Sequence, residues 1–347
     1  MKERIIKIVS ISAVVAITIA LIVIAWWYQS QEDKEQEELA FRSPTGLLMT
    51  DEGTLYVSDG GLHVVLTLSG IRADQVAGRI LPQVGGSIPG AYSDGTAAEA
   101  LFNEPSAMAE WLDGIVISDT GNNRLRFLKN GVVQTLAGTG VQGCENGNAN
   151  DATFYKPKGL SVGEDGALYV ADSGNGCIRR ISENGSVETV LTGLNTPSGL
   201  CWDGGVLYIA DAGLNQILCW DEETLTVLAG LASGVYPEDN AGFEDGEAEN
   251  ASFRAPQAVL AKDGTVYVAD TGNSAVRKIC DGKVETLASF DGTGGELWPA
   301  APSDLAWVNG TLYVADSFAG IVFTVYTQAF KMSVLDCWLH GIIYKKH

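Results

Sequence analysis

Apolar and polar residues alternate along this chain in short bursts, each broken after a few positions by Asp, Gly or Asn. The pattern is clearest in residues 158–181, KGLSVGEDGALYVADSGNGCIRRI. Alternating small and apolar residues after Pro157 lead to a turn at Glu164-Asp165-Gly166. Leu168-Tyr169-Val170-Ala171 then runs to Asp172, turns through Ser-Gly-Asn-Gly and resumes as Cys177-Ile178-Arg179-Arg180-Ile181. Period-two alternation bounded by residues that tolerate positive φ, or that bond their own backbone, predicts three short strands joined by tight turns. Such a unit exposes both faces and cannot bury a core alone, so it has to be repeated.

The repeat is present. A strand-ending Asp recurs at Asp59, Asp119, Asp172, Asp211, Asp270 and Asp316, preceded by LYVS, IVIS, LYVA, LYIA, VYVA and LYVA. A proline stands upstream of each at a nearly constant distance: Pro44, Pro105, Pro157, Pro197, Pro256 and Pro302. Asn122, Asn175 and Asn273 follow three of the Asp residues by three positions, and Arg126, Arg179 and Arg277 follow the same three by seven. Outer strands are expected over 74–77, 132–137, 187–191, 224–229 and 283–288, where one wet face alternates with one dry face. The sixth outer strand comes either from residues 331–335 or from residues just before Phe41. The interval between successive prolines is uneven, shortest from Pro157 to Pro197 and longest from Pro44 to Pro105. A fixed unit with variable linkers, repeated at roughly 40–50 residues, predicts an all-β, six-bladed β-propeller over residues 41–335.

These residues resemble the NHL-repeat family, whose repeats carry Pro-x-Gly, a strand ending in Val-Ala-Asp, an Asn turn and an Ile-Arg-x-Ile strand. The resemblance covers about residues 41–327. A linker pattern repeats too, as Asp94-Gly95…Ala97…Ala100-x-Phe102, Asn146-Gly147…Ala149…Ala152-x-Phe154 and Asp245-Gly246…Ala248…Ala251-x-Phe253. Blade one lacks the Asn and Arg, and blade six has Phe318-Ala319 in place of the Asn turn.

Before the repeats, residues 1–7 are basic, and residues 8–28 form 21 positions without a charge, ending Trp26-Trp27-Tyr28. As a helix rising about 1.5 Å per residue this run spans roughly 30 Å, a bilayer's hydrocarbon thickness. It is expected to be an uncleaved signal anchor with a cytoplasmic N-terminus. The rival is a cleaved signal peptide, whose apolar core would be shorter and followed by a small-x-small site; either way the propeller is exported. Residues 29–40 read as an acidic juxtamembrane linker, and residues 336–347 as a tail of unassigned structure.

Net charge is −21 over 347 residues. That argues against nucleic acid or anionic lipid as a partner, since phosphate needs concentrated Lys and Arg. It leaves a solvated acidic surface or a dock for a basic partner. The six cysteines, Cys144, Cys177, Cys201, Cys219, Cys280 and Cys337, show no CxxC, no metal-finger spacing and no disulfide framework.

Candidate chemistry is sparse. Gly138-Thr-Gly140-Val-Gln-Gly143 matches GxGxxG, but no helical run follows to receive a pyrophosphate. The six Asp residues recur in every blade and therefore read as turn caps, not metal ligands. The three Arg residues are expected to pair with acids of a neighbouring blade. Similar propellers include an amidating lyase and an antibiotic-inactivating lyase that rely on channel histidines. Of three His here, only His63 lies within the repeats, as a surface turn residue. No cofactor is expected; calcium chemistry of the lactonase kind has acids enough but no motif. The expected role is binding of a protein, peptide or glycan through the loop-rich face, with Tyr92, Trp111, Tyr236 and Trp298 as candidate contacts. The alternative is a divalent-metal hydrolase or lyase with a carboxylate site in the channel.

Overall fold

The computed structural model describes residues 40–69, 72–80, 90–231, 240–289, 300–325 and 332–333, all within the unit Ala40–His347. The expected anchor at 8–28, most of the linker at 29–40 and the tail at 336–347 lie outside the described residues. Among those described, no helix is long and apolar enough to cross a membrane.

Six antiparallel sheets form the six blades. The inner strands are Pro44–Met49, Pro105–Trp111, Pro157–Val162, Pro197–Asp203, Ala258–Lys262 and Pro302–Val308. Each lies beside the inner strands of its two neighbours, and the sixth lies beside the first, which closes the ring. The outer strands are Arg72–Ala77, Val132–Ala137, Ser186–Leu191, Leu225–Ala229, Lys283–Ser289 and Met332–Ser333. Of the two sources left open for the last, the structure shows the C-terminal one, paired to Ile321–Val325. Alternating side chains from facing blades interdigitate, so the core lies between blades. Ala109, Trp111 and Val116 of blade two, for example, pack on Leu160, Leu168 and Val170 of blade three.

The long linkers do more than connect. Gly95–Thr96, Gly147–Asn148 and Gly246–Glu247 each add a fifth, two-residue strand outside the outer strand of blades two, three and five. The alanines that follow are small enough to seat Phe102, Phe154 and Phe253 fully buried. The Gly138–Gly143 run thus leads into a linker strand, not a helix.

Neighbouring blades are joined by hydroxyls donating to the repeat proline's carbonyl. Thr45 donates to Pro105 O at 2.6 Å, Thr120 to Pro157 O at 2.7 Å, Thr271 to Pro302 O at 2.6 Å and Ser303 to Pro44 O at 2.7 Å. Ser173 makes the same bond to Pro197 O. At the junction of blades four and five the corresponding residue is Ala212, without a hydroxyl, and there the inner strand starts later, at Ala258.

Candidate functional site

The residue after each strand-ending Asp opens a turn at the end of the disc where Pro pairs with Asp, as in Pro157 opposite Asp172. Antiparallel order makes the fourth-to-first linkers leave and re-enter the blades at this same face, and among the described residues only short turns lie on the other.

Two kinds of Asp site hold these turns. In blades one, four and six the carboxylate takes, among the described residues, backbone N–H groups alone. Asp211 accepts from Asn195, Thr196, Gly213 and Leu214 at 2.8–3.1 Å, and position seven beyond is apolar: Leu66, Leu218, Phe323. In blades two, three and five the Asp is fully buried against the fully buried Arg. Arg179 Nη1 donates to Asp172 Oδ2 at 3.0 Å and to Thr153 O at 2.8 Å. Its Nη2 donates to Glu145 O and Asn146 Oδ1, both at 2.9 Å. Asn175 Nδ2 and the Tyr155 N–H complete the site. Arg126 and Arg277 repeat the scheme with Asp119 and Asp94, and with Asp270 and Asp245. Burial pushes the Asp119, Asp172 and Asp270 carboxyls up, while their Asn, Arg and backbone donors pull against it. Each Arg thus pairs within its own blade and its own linker, not with a neighbouring blade as expected. The linker supplies the second acceptor, so the sheet is satisfied without reaching across.

His63 is buried, not a surface residue. It sits in the left-handed region, φ 61°, and its Nδ1 accepts the Glu104 N–H of the next blade at 2.9 Å. Asn123 and Asn215 do the same in their blades, accepting from Lys156 and Ala255 at 2.9 and 2.8 Å. His63 is therefore one copy of an inter-blade clamp. His63→Asn is expected to change stability by under about 0.5 kcal/mol, while His63→Ala should cost about 1–2 kcal/mol by stranding the Glu104 N–H. Urea unfolding of both variants checks this; equal losses would refute it.

The channel opens on the linker face as a cavity of about 400 Å³. Its mouth is ringed by the residue after each repeat proline: Thr45, Ser106, Lys158, Ser198, Gln257 and Ser303. Two residues deeper, Leu47, Met108, Leu160, Leu200, Val259 and Leu305 form an apolar ring. Lys158 Nζ donates to Gln257 Oε1 at 3.1 Å, a chord from blade three to blade five. Burial, and Lys156 nearby, lower the Lys158 ammonium below its ordinary range. Between the two rings stand Gly46, Ala107, Gly159, Gly199, Ala258 and then Asp304. A Cβ on Gly46 would lie 2.1 Å from Ser106 O, so the seams there admit only the smallest residues. Asp304 instead fills the closing seam, its carboxylate accepting the Leu47 N–H at 2.7 Å and the Leu305 N–H at 2.9 Å. Burial raises its carboxyl to about 7.

Of the four aromatics expected on the binding face, Tyr236 and Trp298 lie outside the described residues. Trp111 is buried and ends its strand at the opposite face, its Nε1 donating to Gly166 O at 2.8 Å. Tyr92 is exposed on the linker face, its ring 4.0 Å from the Arg124 guanidinium. Phe243 and Phe318, not among those four candidates, are exposed on that face as well. Phe318 was visible as the residue that breaks the Asn turn.

Residues 130–218 match the Teneurin NHL domain family. Human NHL repeat-containing protein 2 is 29% identical over an alignment covering 63% of this chain and 38% of that protein. The Arabidopsis thaliana protein SUPPRESSOR OF QUENCHING 1, chloroplastic, is 26% identical over 72% of this chain and 26% of its own length. The chain therefore spans well under half of either relative. Among solved structures, an auxiliary nutrient binding protein from Bacteroides thetaiotaomicron superposes with a TM-score of 0.57 at 15% identity, covering 81% of this chain and 68% of that one. A streptogramin B lyase superposes with a TM-score of 0.53 at 14% identity, covering 80% and 92%. At such identities these structures share the fold alone. What the sequence relatives share with the chain is the repeat itself, and that likeness, with the family match over blade three and its flanks and the six-bladed ring, supports an NHL-repeat β-propeller.

Proposed function

We propose that this protein is a binding or scaffold module that takes a protein, peptide or glycan on its linker-bearing face. The observation that carries this reading is the placement of exposed aromatics. Among the described residues, Tyr92, Phe243 and Phe318 are the exposed ones, and all three stand on the face where the linkers and the polar mouth converge. Aromatic side chains bury large areas at low entropic cost, and they are enriched at interfaces. The nutrient binding role named for the Bacteroides structure is compatible with it. The 21-residue uncharged run at 8–28 supports a propeller held outside the cell by a single anchor.

The channel favours this over metal-dependent hydrolysis. Among the described residues Asp304 is its sole carboxylate, and two backbone N–H groups already occupy it, whereas calcium asks for six to eight oxygens.

The test is glycan and peptide array binding by the full-length protein. Phe318→Ala, on the linker face, is expected to lower the signal about tenfold, and Leu112→Ser, on the opposite face, to leave it. Loss with Leu112→Ser alone would overturn the assignment. A rise in melting temperature with Ca²⁺ or Zn²⁺, reversed by EDTA, would restore the metal reading.

A further inference from the structure

Blade three differs from its two closest copies at one paired position. Two residues before the linker acceptor stand Tyr92, Cys144 and Phe243; two residues before the Arg stand Arg124, Cys177 and Ala275. In blades two and five the linker aromatic covers the buried guanidinium. The Tyr92 ring lies 4.9 Å from Arg126 and the Phe243 ring 4.9 Å from Arg277, opposite the Phe102 and Phe253 rings. In blade three Arg179 has the Phe154 ring at 5.1 Å, and the place of the second ring is taken by Cys144. Its Sγ lies 3.7 Å from Sγ of Cys177, across 33 residues of sequence.

We propose that Cys144 and Cys177 form a reversible disulfide that locks the linker of blade three over the Arg179–Asp172 site, doing covalently what an aromatic ring does in the other blades. A disulfide needs the sulfurs about 2.05 Å apart, so closing the bond takes a further approach of under about 2 Å, with Cys144 the exposed partner. Cys144 is exposed and Cys177 buried, which sets the order of steps. The Cys144 thiolate attacks a small-molecule disulfide, such as oxidised glutathione, and releases one thiol. Cys177 sulfur then attacks Sγ of Cys144 in the mixed disulfide, giving its proton to the departing second thiolate. Two protein thiols are oxidised and one external disulfide is reduced to two thiols. Burial and the Asp172 charge push the Cys177 thiol up, consistent with its acting second. Asp172 also lies within reach of both sulfurs, but its oxygens already take the Tyr155 N–H, Asn175 and Arg179, so a cation site is not what the geometry offers.

The test uses the full-length protein, reduced or equilibrated with oxidised glutathione, then alkylated and mapped by non-reducing peptide mass spectrometry. The expected result is a linked pair of peptides carrying residues 144 and 177, the loss of two reactive thiols, and a melting temperature roughly 5 °C higher. Cys144→Ser, an exposed change that leaves the fold intact, should abolish both the link and the shift; Cys201→Ser should abolish neither. Recovery of Cys144 only as its glutathione adduct, with Cys177 still a thiol, would overturn the proposal. So would a link between two copies through Cys144.

Discussion

Arg179→Leu is expected to cost about 3–5 kcal/mol, the usual loss when one partner of a buried ion pair is removed, and to lower the melting temperature by roughly 10 °C. Leucine fits the repeat, because Leu218 holds the same place in blade four. The cost comes from what is left behind. Asp211 of blade four has four backbone donors, whereas Asp172 would keep only the Tyr155 N–H and Asn175 in a fully buried site. The carbonyl of Thr153 would lose its donor too, and that of Glu145 would keep only the Thr153 N–H. Arg179→Lys should recover little, since an ammonium cannot span two acceptor pairs as the planar guanidinium does. Adding Asp172→Asn to the leucine variant should recover part of the loss by removing the stranded charge. Thermal and urea unfolding of the three variants decide it; a loss under about 1 kcal/mol for Arg179→Leu would show that the pair is dispensable.

That site also shows where sequence reasoning reached and where it stopped. Six prolines and six Asp residues at nearly constant distance mark every blade, because Pro pairs with Asp in the sheet itself in five of the six, Pro256 of blade five lying ahead of its strand. The spacing alone points the Arg residues to acids of a neighbouring blade, whereas each pairs within its own. The signal that corrects this was present: the three repeats with Arg are the three preceded by the Asp/Asn-Gly-x-Ala-x-x-Ala-x-Phe linker, whose first residue is the second acceptor. The association of Cys144 with Cys177 had no such signal, because a long separation through a linker has no fixed geometry until the blade is folded. Trp111 misled because a strand-end aromatic reads alike whether it faces solvent or the next blade. Alternation gives the side of the sheet, not what covers it.

Asp304 was legible only as the odd member of a series of Gly and Ala, and its consequence is a dependence of stability on pH. An unfolded Asp titrates near 3.9 and the folded carboxyl near 7, so between these values the native state holds the proton that the unfolded chain has lost. Its contribution is therefore full below about pH 4, declines as pH rises and is gone above about 7, opposite in sign to a salt-bridged carboxylate. The full shift, at about 1.4 kcal/mol per pH unit, is an upper bound. The channel is open to water at its mouth, so roughly 2 kcal/mol is expected. The effect falls on the closing seam, where Asp304 and Ser303 hold blade six to Leu47 and Pro44 of blade one. Asp304→Asn keeps the shape and removes the titration. Relative to the native protein, the variant should gain about 2 kcal/mol as pH rises from about 4 to about 7 and hold level above it, whatever fixed offset the amide introduces. The readout is the difference in unfolding free energy across that range, which cancels the response of the other acids. A difference that stays flat would mean that Asp304 remains ionised in the folded ring, its two backbone donors outweighing the loss of water.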